Sequence, residues 1–500
     1  MSSAIWFLPV LSAILGILAL PPFGYYLLGF IFLAPLFIFF LEEKSLSRLI
    51  IGTLLFRLIF LTFTVNFAFD PLLVLTSAII FIGLPISFFA ARIYLKEKIA
   101  FAGLPILWAI WDYLEAQYSF LPYFSVMAGS TLGSSPFLGL AGSGGIITLT
   151  LFIAAINALI SCLIFKLINR DFKKSALTGT ALIGIIIGGI IFSRYQLNQN
   201  RFFFSAEKSN LTVALLSNNE KFDEEFLQFK TDIFSEKEKK IAAYLTQNLL
   251  SRIELDLIGP KIDLLVLPED MIDIETWNDA DEEAKIKFGI SNAGILIKSY
   301  RQLAKNLNTN IIAALTTFQN GKRYNSAVLF NRRGELVDVY NKSHLTIASE
   351  YWPFGDWQPF YYQYLAKITP DLGSDNVMFN PDYRYSKGSA KLLTSEEFKA
   401  GLAICIEIHY PSHLKNLKKL GAQFILNAGS NRWTTLGLKN LIELTLNFRK
   451  IEAVWLKTPI IFNGLKDYAG IIMPDGKTYL TNFESQDKNY GILVAELGDL

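Results

Sequence analysis

The sequence has little cysteine, histidine or charge. Its 500 residues include 2 cysteines and 3 histidines, and Asp, Glu, Lys and Arg together make up 18%. Cys162 lies in a long apolar run and Cys405 in a mixed segment, so a structural disulfide between them is not expected. His344, His409 and His413 lack a closed ligand set, and the last two are interpreted as a surface pair. The sequence therefore predicts neither a metal site nor a cofactor.

The scarcity of charge is confined to the first part of the chain. Residues 1–193 carry 10 Lys or Arg and 7 Asp or Glu, whereas residues 194–500 carry the remaining 36 and 37. This contrast indicates a membrane-embedded part followed by a water-exposed part. Because basic and acidic residues nearly balance in the second part, it lacks the positive surface that nucleic-acid binding requires.

The first part contains apolar runs of bilayer-spanning length, separated by short polar interruptions. They predict seven membrane helices, at residues 4–20, 25–41, 49–69, 72–94, 100–113, 146–165 and 176–192. The first run lacks the basic residues and the cleavage site of a signal peptide, so it is expected to be retained. The glycine run at 139–145 is not preceded by a strand, and we interpret it as a loop.

The orientation of these helices follows from the basic residues between them, because cytoplasmic loops retain Lys and Arg. The connections after the second, fourth and sixth predicted spans contain nine such residues, and the alternate connections contain none. The N-terminus is therefore expected inside the cell and everything after the seventh span outside it. In a bacterial inner-membrane protein, that places residues 211–500 in the periplasm, behind a membrane domain at 1–193 and a linker at 194–210.

The outer part alternates short β-rich runs with charged, amphipathic segments. Strands are predicted at residues 212–216, 264–267, 310–315, 326–330, 336–340, 401–404, 424–426 and 469–473. Helices are predicted at 236–250 and 294–305, and the turn at Arg333 and Gly334 indicates a hairpin. Apolar strands with helices between them are typical of an α/β layered domain.

Three of these strands are followed by a residue with useful chemistry, at the position where α/β folds collect their site groups. Glu269 follows the second predicted strand, Lys342 the fifth and Cys405 the sixth. A carboxylate can deprotonate a thiol, and the resulting thiolate can attack an acyl carbon. The ammonium of Lys342 and the amide of Ile406 could then stabilise the oxyanion.

Each of these residues also has a structural interpretation. Cys405 alone is more typical of a small buried hydrophobe at a strand end. Glu269 could cap a helix, and Lys342 could be a solvated turn residue. Only the order of the three, each with its flanking residues, favours a catalytic site.

With its neighbours, this set resembles the membrane-bound apolipoprotein N-acyltransferases of the nitrilase superfamily. In the first part the similar segments are PPFGYYLLGFIFLAPLF, LPILWAIWDYLE and INALI. In the second part they are LPED, YNKSHL followed by SEYWPFG, CIE, and SNRW followed by RKIE. The resemblance extends over nearly the whole chain.

The resemblance implies a multi-span helical membrane domain followed by a nitrilase-like αββα sandwich, in which Glu269, Lys342 and Cys405 form the catalytic triad. Glu350 and Glu407 match two further acidic positions near the site, with either a direct or a supporting role. The implied reaction takes an acyl chain from a membrane phospholipid, through a cysteine thioester, to the α-amino group of a diacylglyceryl-cysteine apolipoprotein. The lipid bilayer is the implied surrounding, and a monomer is expected.

Several positions depart from the family pattern or leave other functions open. The family commonly has Tyr where this chain has Ile406, and Trp where this chain offers Phe222. The chain also stops without the final span of its relatives, which would leave the outer part tethered through 193–211 only. The aromatic segment at 351–364 is expected at the membrane interface or in a packed loop. Alternative functions are a membrane-anchored amidase that uses water as acceptor and a catalytically silent scaffold.

One further position concerns the membrane part. Arg57 lies in mid-span, where a charge is costly, and it is expected to face the bundle interior or to snorkel. Contact with a phospholipid headgroup is the less favoured interpretation.

Overall fold

The chain divides into two compact units. The first, here the helical unit, comprises Met1–Ala206, Trp433–Thr458 and Ile472–Lys477, and the second, the α/β unit, comprises Glu207–Arg432, Pro459–Ile471 and Thr478–Leu500. The computed structural model describes residues 3–66, 71–118, 126–206, 211–218, 247–269, 280–347, 350–352, 354, 357, 384–430, 439–465, 468–481 and 490–498.

The N-terminal part is helical throughout its described residues, apart from short turns. Its α-helices are α1 Phe7–Ala19, α2 Ala34–Glu42, α3 Leu46–Leu61, α4 Pro71–Phe81, α5 Gly83–Tyr94, α6 Glu97–Tyr118, α7 Gly145–Ile168 and α8 Phe172–Ala206. Single 3-10 turns occur at Tyr26–Phe30, Ala128–Leu132 and Leu138–Ser143, and a π-helical turn at Thr62–Asn66 extends α3.

Among the described residues of the helical unit, five apolar helical stretches are long enough to cross a membrane. They are Leu46–Thr64, Val74–Tyr94, Glu97–Tyr118, Gly145–Ile168 and Phe172–Phe202. The first two predicted spans correspond to the shorter apolar helices Phe7–Ala19 and Tyr26–Glu42. The prediction of a multi-span helical region is confirmed, and five of the seven predicted runs reach spanning length.

The helix ends differ from the predicted ones for local reasons. The predicted fourth span divides into α4 and α5, because Gly83 and Pro85 interrupt the hydrogen-bond ladder near Ile82. Helix α8 continues to Ala206, so residues 194–206 of the predicted linker at 194–210 are helical. A polar face does not stop a helix when no Pro or Gly is present.

A buried ionic cluster joins α3 to α6. Arg57 contacts Glu115 and lies 3.5 Å from Oδ1 of Asp112, and all three side chains are at most 4% exposed. The Arg57 guanidinium also lies 4.6 Å from the ring centroid of Phe81. Arg57 therefore faces the bundle interior, as the sequence predicts, and its contacts give no support to a headgroup role.

A helix from the C-terminal half belongs to the helical unit. This helix, here α12, runs from Lys439 to Leu456, between two strands of the α/β unit. The side-chain amide of Asn200 in α8 donates to the Val454 carbonyl at 2.9 Å, and Ser134 accepts from Lys450 at the same distance. The helical unit is therefore built from segments that are far apart in sequence.

The α/β unit is organised around twelve strands. They are β1 Thr212–Asn218, β2 Leu264–Leu267, β3 Asn310–Gln319, β4 Lys322–Phe330, β5 Leu336–Asn341, β6 Leu392–Thr394, β7 Lys399–Leu402, β8 Phe424–Ser430, β9 Ile460–Leu465, β10 Gly470–Ile472, β11 Thr478–Leu480 and β12 Tyr490–Glu496. Its helices are α9 Glu282–Phe288, α10 Gly294–Leu307 and α11 Pro411–Lys419, and residues 247–256 are also helical.

The strands follow the order β5-β4-β3-β2-β1-β9-β8-β7-β6, with β12 beside β1 and β10 beside β9. The two halves of this path meet through one residue pair, Asn218 with Leu465. Neighbours from β3 through β2 to β1, and from β7 through β8 to β9, are parallel. Every predicted strand is present, and the predicted hairpin is the antiparallel pair β4 and β5.

The core of the first half lies between the sheet and the helices beside it. Buried side chains of β1 to β4 form one cluster with Ile253, Ile297 and Tyr300 from the helices. This burial explains why the strands consist of nearly continuous apolar residues. The confirmed prediction is an α/β layered domain after a helical region, whereas Phe222 and most of the segment 351–364 lie outside the described residues.

Candidate active site

The three residues singled out in the sequence all follow strand ends in the α/β unit. Glu269 lies two residues after β2, Lys342 directly after β5 and Cys405 three residues after β7. Strands β2, β3 and β5 run in the same direction, since β4 is antiparallel to both β3 and β5. Glu269 and Lys342 are thereby placed at the same edge of the sheet.

Lys342 is buried among negative partners. Its side chain is 1% exposed and its Nζ lies 2.9 Å from Oε1 of Glu350. Burial acts to lower the pKa of Lys342, but the charges of Glu350, Cys405 and Glu269 outweigh it and raise that pKa above its usual value. The lysine is therefore a fixed cation that interacts electrostatically with both other singled-out residues.

Asn325 in β4 connects the two acidic side chains beside that lysine. Its Nδ2 donates to Oε1 of Glu269 and to Oε1 of Glu350, each at 2.7 Å, and its carbonyl accepts from the Lys342 amide at 2.8 Å. The Thr346 amide holds the other Glu350 oxygen at 2.7 Å. Four polar groups are thus held together in a region where Asn325 is 4% and Glu269 4% exposed.

Cys405 adopts a backbone conformation that non-glycine residues rarely take. Its φ is +50°, in the left-handed region, and it begins a 3-10 turn that runs to His409. The side-chain amide of Asn427 in β8 donates to the carbonyls of Ala403 and Cys405, at 2.7 and 3.2 Å. Such a conformation costs on the order of 1–3 kcal/mol and persists only where surrounding contacts hold it. The two hydrogen bonds from Asn427 provide such contacts.

The turn also leaves the predicted nucleophile, Cys405, and the predicted oxyanion donor, the amide of Ile406, near the surface. Cys405 and Ile406 are partly exposed, whereas the four residues before them, Gly401–Ile404, are buried. Ile406 follows it in the first turn of the 3-10 helix, where backbone N–H groups have no partner within the helix. A partly exposed thiol next to such an amide can attack a carbonyl carbon and offer a donor to the developing oxyanion.

Glu407 lies behind the cysteine turn and contacts backbone groups from two segments. Its oxygens accept from the amides of Ser343, His344 and Ile404, at 2.7, 2.9 and 2.9 Å, and from the Tyr340 hydroxyl at 2.8 Å. Although burial alone would raise it, hydrogen bonds from the side chains of His344 and Ser343, together with nearby positive charge, lower the pKa of Glu407 to about 2. Glu407 is therefore an ionised group that connects the segment after β5 to the cysteine turn.

The histidines are placed differently from the sequence prediction. His409 and His413 are buried, at 8% and 3% exposure, so their interpretation as a surface pair is wrong. The helical spacing of the two residues was visible, but the packing of α11 against distant segments was not. Instead, His413 groups with His344 and Glu407, whose ligand-type atoms lie within 4.8 Å of one another. One oxygen of this group, Glu407 Oε1, already accepts several hydrogen bonds.

Residues 384–388, here called the strap, form backbone hydrogen bonds with the segments that carry Lys342 and Glu350. The amides of Tyr385, Ser386 and Gly388 donate to the carbonyls of Glu350, Arg323 and Lys342, at 2.9, 2.6 and 2.8 Å. The ring of Tyr385 lies 4.3 Å from the Arg323 guanidinium, and its hydroxyl is 2.8 Å from Oγ1 of Thr316. The strap thereby fixes the main chain at two of the site residues.

The structure adds residues that sequence reasoning missed. Asn325 and Asn427 lie inside strands β4 and β8. A polar residue directly after the apolar residues Phe424–Leu426 was the signal for Asn427. Nothing comparable marked the strap, because its contacts to Lys342 and Glu350 run through backbone groups.

The chain matches two family models. The apolipoprotein N-acyltransferase N-terminal domain matches residues 12–159, and the carbon-nitrogen hydrolase model matches residues 241–452. The second match contains every site residue described above.

Curated relatives match most of the chain. The apolipoprotein N-acyltransferase of Haemophilus influenzae is 24% identical over 457 residues, which are 86% of this chain and 77% of the relative. That of Pasteurella multocida is 23% identical over 448 residues, 86% of this chain and 78% of the relative. A solved carbon-nitrogen hydrolase from Helicobacter pylori is 15% identical, with a TM-score of 0.37 over 58% of this chain and 90% of its own.

Proposed function

We propose that this chain, which belongs to the apolipoprotein N-acyltransferase family of carbon-nitrogen hydrolases, transfers a phospholipid acyl chain to the amino terminus of apolipoproteins through a thioester on Cys405. The observation that supports the chemistry best is the grouping around Lys342. Glu269, Glu350 and Asn325 are joined by hydrogen bonds, and the lysine interacts with Cys405. We assign Glu269, Lys342 and Cys405 as the catalytic triad.

In the first half-reaction, Glu269 takes the proton of the Cys405 thiol. The thiolate attacks the carbonyl carbon of the sn-1 ester, and the negative oxygen is held by the Lys342 ammonium and the Ile406 amide. The C–O bond then breaks, the leaving alkoxide takes the proton back from Glu269, and lysophospholipid departs. One such oxyanion donor lowers the activation free energy by about 3–4 kcal/mol.

In the second half-reaction, the α-amine of a diacylglyceryl-cysteine attacks the thioester carbon. Glu269 accepts a proton from the amine, an amide bond forms and the C–S bond breaks; the departing thiolate then takes that proton from Glu269, which regenerates the thiol and the carboxylate. Because the two substrates react in turn at one sulfur, ping-pong kinetics are expected. The roles of Glu350 and Glu407 are to orient Lys342 and the cysteine turn, since both contact these segments and are themselves buried.

The thioester has to be protected from water until the amine arrives. Aromatic side chains next to Glu350 suit this task, because Phe354 and Trp357 are 47% and 57% exposed and pack against each other. Exposed aromatic rings favour the membrane interface. We place the chain in the bacterial inner membrane as a monomer, with the catalytic domain in the periplasm. Five described apolar helices of spanning length and the distribution of basic residues support this placement.

The test uses a phospholipid with an isotope-labelled sn-1 chain. Purified protein in lipid nanodiscs is incubated with this donor and digested, and the label is located by mass spectrometry. Label is expected on the peptide that contains Cys405, and it should move to an added diacylglyceryl-cysteine peptide. Cys405→Ala should abolish both signals, whereas Cys162→Ala, which changes the other cysteine, should leave both intact.

Two results would contradict the proposal. An acceptor reaction that proceeds while Cys405 stays unlabelled would exclude the covalent route. Release of free fatty acid with no transfer to the peptide would favour the amidase-type alternative, in which water is the acceptor.

A further inference from the structure

His413 in α11 touches both chain segments that carry the proposed nucleophile and cation. Its Nε2 lies 2.8 Å from the Leu402 carbonyl, at the end of β7 and three residues before Cys405. Its Nδ1 lies 3.3 Å from Oγ of Ser343, which follows Lys342 directly. One imidazole that is 3% exposed therefore spans the distance between these two segments.

The direction of one of these contacts is fixed by chemistry. A carbonyl oxygen only accepts hydrogen bonds, so Nε2 carries the proton that is donated to Leu402. Burial lowers the pKa of His413, against the opposing charge of Glu407, which favours the neutral ring at neutral pH. Nδ1 is then the nitrogen that faces the Ser343 hydroxyl.

The Ser343 hydroxyl is the meeting point of the surrounding groups. Besides His413, it lies 2.7 Å from Oε1 of Glu407 and 2.9 Å from Nδ1 of His344. Glu407 contacts backbone amides of the same two segments, while His413 contacts a carbonyl and a side chain. The two connectors share the Ser343 hydroxyl but otherwise contact different groups, so the loss of His413 leaves the backbone contacts of Glu407 in place.

We propose that His413 is a positioning residue of the acyl-transfer site, which sets the separation of Lys342 from Cys405 by linking Ser343 to Leu402. The inference rests on the proposed function. The oxyanion of the transition state has to be reached by the ammonium of Lys342 while the thiolate attacks, and a displacement of about 1 Å is enough to slow such a step. No contact between His413 and a substrate is needed for this role.

Three substitutions of His413 test its contacts with Leu402 and Ser343 separately. His413→Phe fills the space and removes both contacts. His413→Gln can place an amide N–H near the position of Nε2 and so restore the link to Leu402, whereas His413→Asn can reach only toward Ser343. Leu303→Val in α10 is the control for lost stability, because Leu303 is buried in the core beside β3 and takes no part in this network.

The first measurement is single-turnover formation of the acyl thioester on Cys405, with the thermal midpoint recorded for each variant. His413→Phe should lower the rate about tenfold, the effect of one lost hydrogen bond in the transition state, and leave KM for phospholipid unchanged. His413→Gln should recover most of the rate. The proposal is overturned if His413→Phe reacts within about twofold of the original protein, or no more slowly than a Leu303→Val protein of equal thermal midpoint.

The second measurement does not depend on acyl transfer. Alkylation of Cys405 by iodoacetamide, followed across pH in a Cys162→Ala background, reports the balance of charges at the thiol. His413→Phe should shift the midpoint of this profile upward, since a displaced ammonium stabilises the thiolate less, and Leu303→Val should not. Failure of the unsubstituted protein to form a thioester, with this shift still present, would reject the proposed function and support the positioning role. An unshifted profile would reject the positioning role.

Discussion

Asn325 is the residue that holds two carboxylates close to each other. Two carboxylates that share one amide donor in a poorly solvated place repel each other strongly. The Asn325 amide N–H groups, together with the Lys342 ammonium, offset that repulsion. Glu269 therefore depends on the neutral amide of Asn325 to act as a base. Asn325 lies inside β4, so its role is not visible from the residues that follow strands.

Replacement of this donor by an acceptor is expected to disable the site. Asn325→Asp places a third carboxylate beside Glu269 and Glu350, and Cys405 thioester formation should fall about 100-fold, as when a donor to a charged group is lost. The rate is measured in single turnover with labelled phospholipid.

Asn306→Asp, on the exposed face of α10, is the matched control and should react at the original rate. An unchanged rate in Asn325→Asp would mean that Asn325 does not support Glu269.

Among the elements of the α/β unit, the strap contacts Lys342 and Glu350 through its main chain. Gly388 lies so close to β5 that a Cβ at this position would be 2.1 Å from the Asn341 carbonyl oxygen. No real Cβ tolerates that separation, so the strap or the end of β5 has to move. The residue after Asn341 is Lys342, and the displacement would reach it directly.

Gly388→Ala is therefore expected to slow acyl transfer more than its effect on stability explains. We expect kcat to fall about tenfold, with a change in the thermal midpoint of only a few degrees, because one close contact and one hydrogen bond are disturbed.

The comparison is with Lys387→Ala, which alters the exposed neighbour in the same strap. If the two variants had equal kcat, the strap would have no part in placing Lys342.

The strand ends could be predicted from the sequence, and the links between them could not. Glu269, Lys342 and Cys405 each follow a predicted strand, and residue pattern locates such strands. Asn325 and His413 act across 56 and 70 residues of sequence, to Glu269 and Ser343, and such contacts depend on the order of strands in the sheet. The helical conformation of residues 194–206 was not predicted for a related reason, since the groups that α8 contacts there, including the Val454 carbonyl, come from elsewhere in the chain.

For the whole molecule, the cluster of Arg57, Asp112 and Glu115 is the most concentrated buried charge among the described residues of the helical unit. Asp112 also accepts from the Ala128 amide at 2.8 Å, so the cluster holds the 3-10 turn at Ala128–Leu132 as well as α3 and α6. Removal of one member of a buried ion pair leaves an uncompensated charge, which costs more than the pair contributes.

Arg57→Met should destabilise the protein by about 3–5 kcal/mol, because two carboxylates lose their cation. Unfolding in detergent is followed by circular dichroism with increasing denaturant. Addition of Asp112→Asn and Glu115→Gln to the same chain should restore much of the loss.

Arg48→Met provides the control, since Arg48 lies on the same helix with its side chain 53% exposed. Equal effects of Arg57→Met and Arg48→Met would rule out a structural role for the cluster.

The origin of α12 has a consequence for biosynthesis. When the ribosome has released α8, the bundle still lacks a helix that is encoded more than 230 residues downstream. Translation has to pass Leu456 before that gap can be filled, and by then strands β1 to β8 have already been made. Completion of the bundle and assembly of the sheet are therefore late and overlapping events during synthesis, although most of the bundle is translated first.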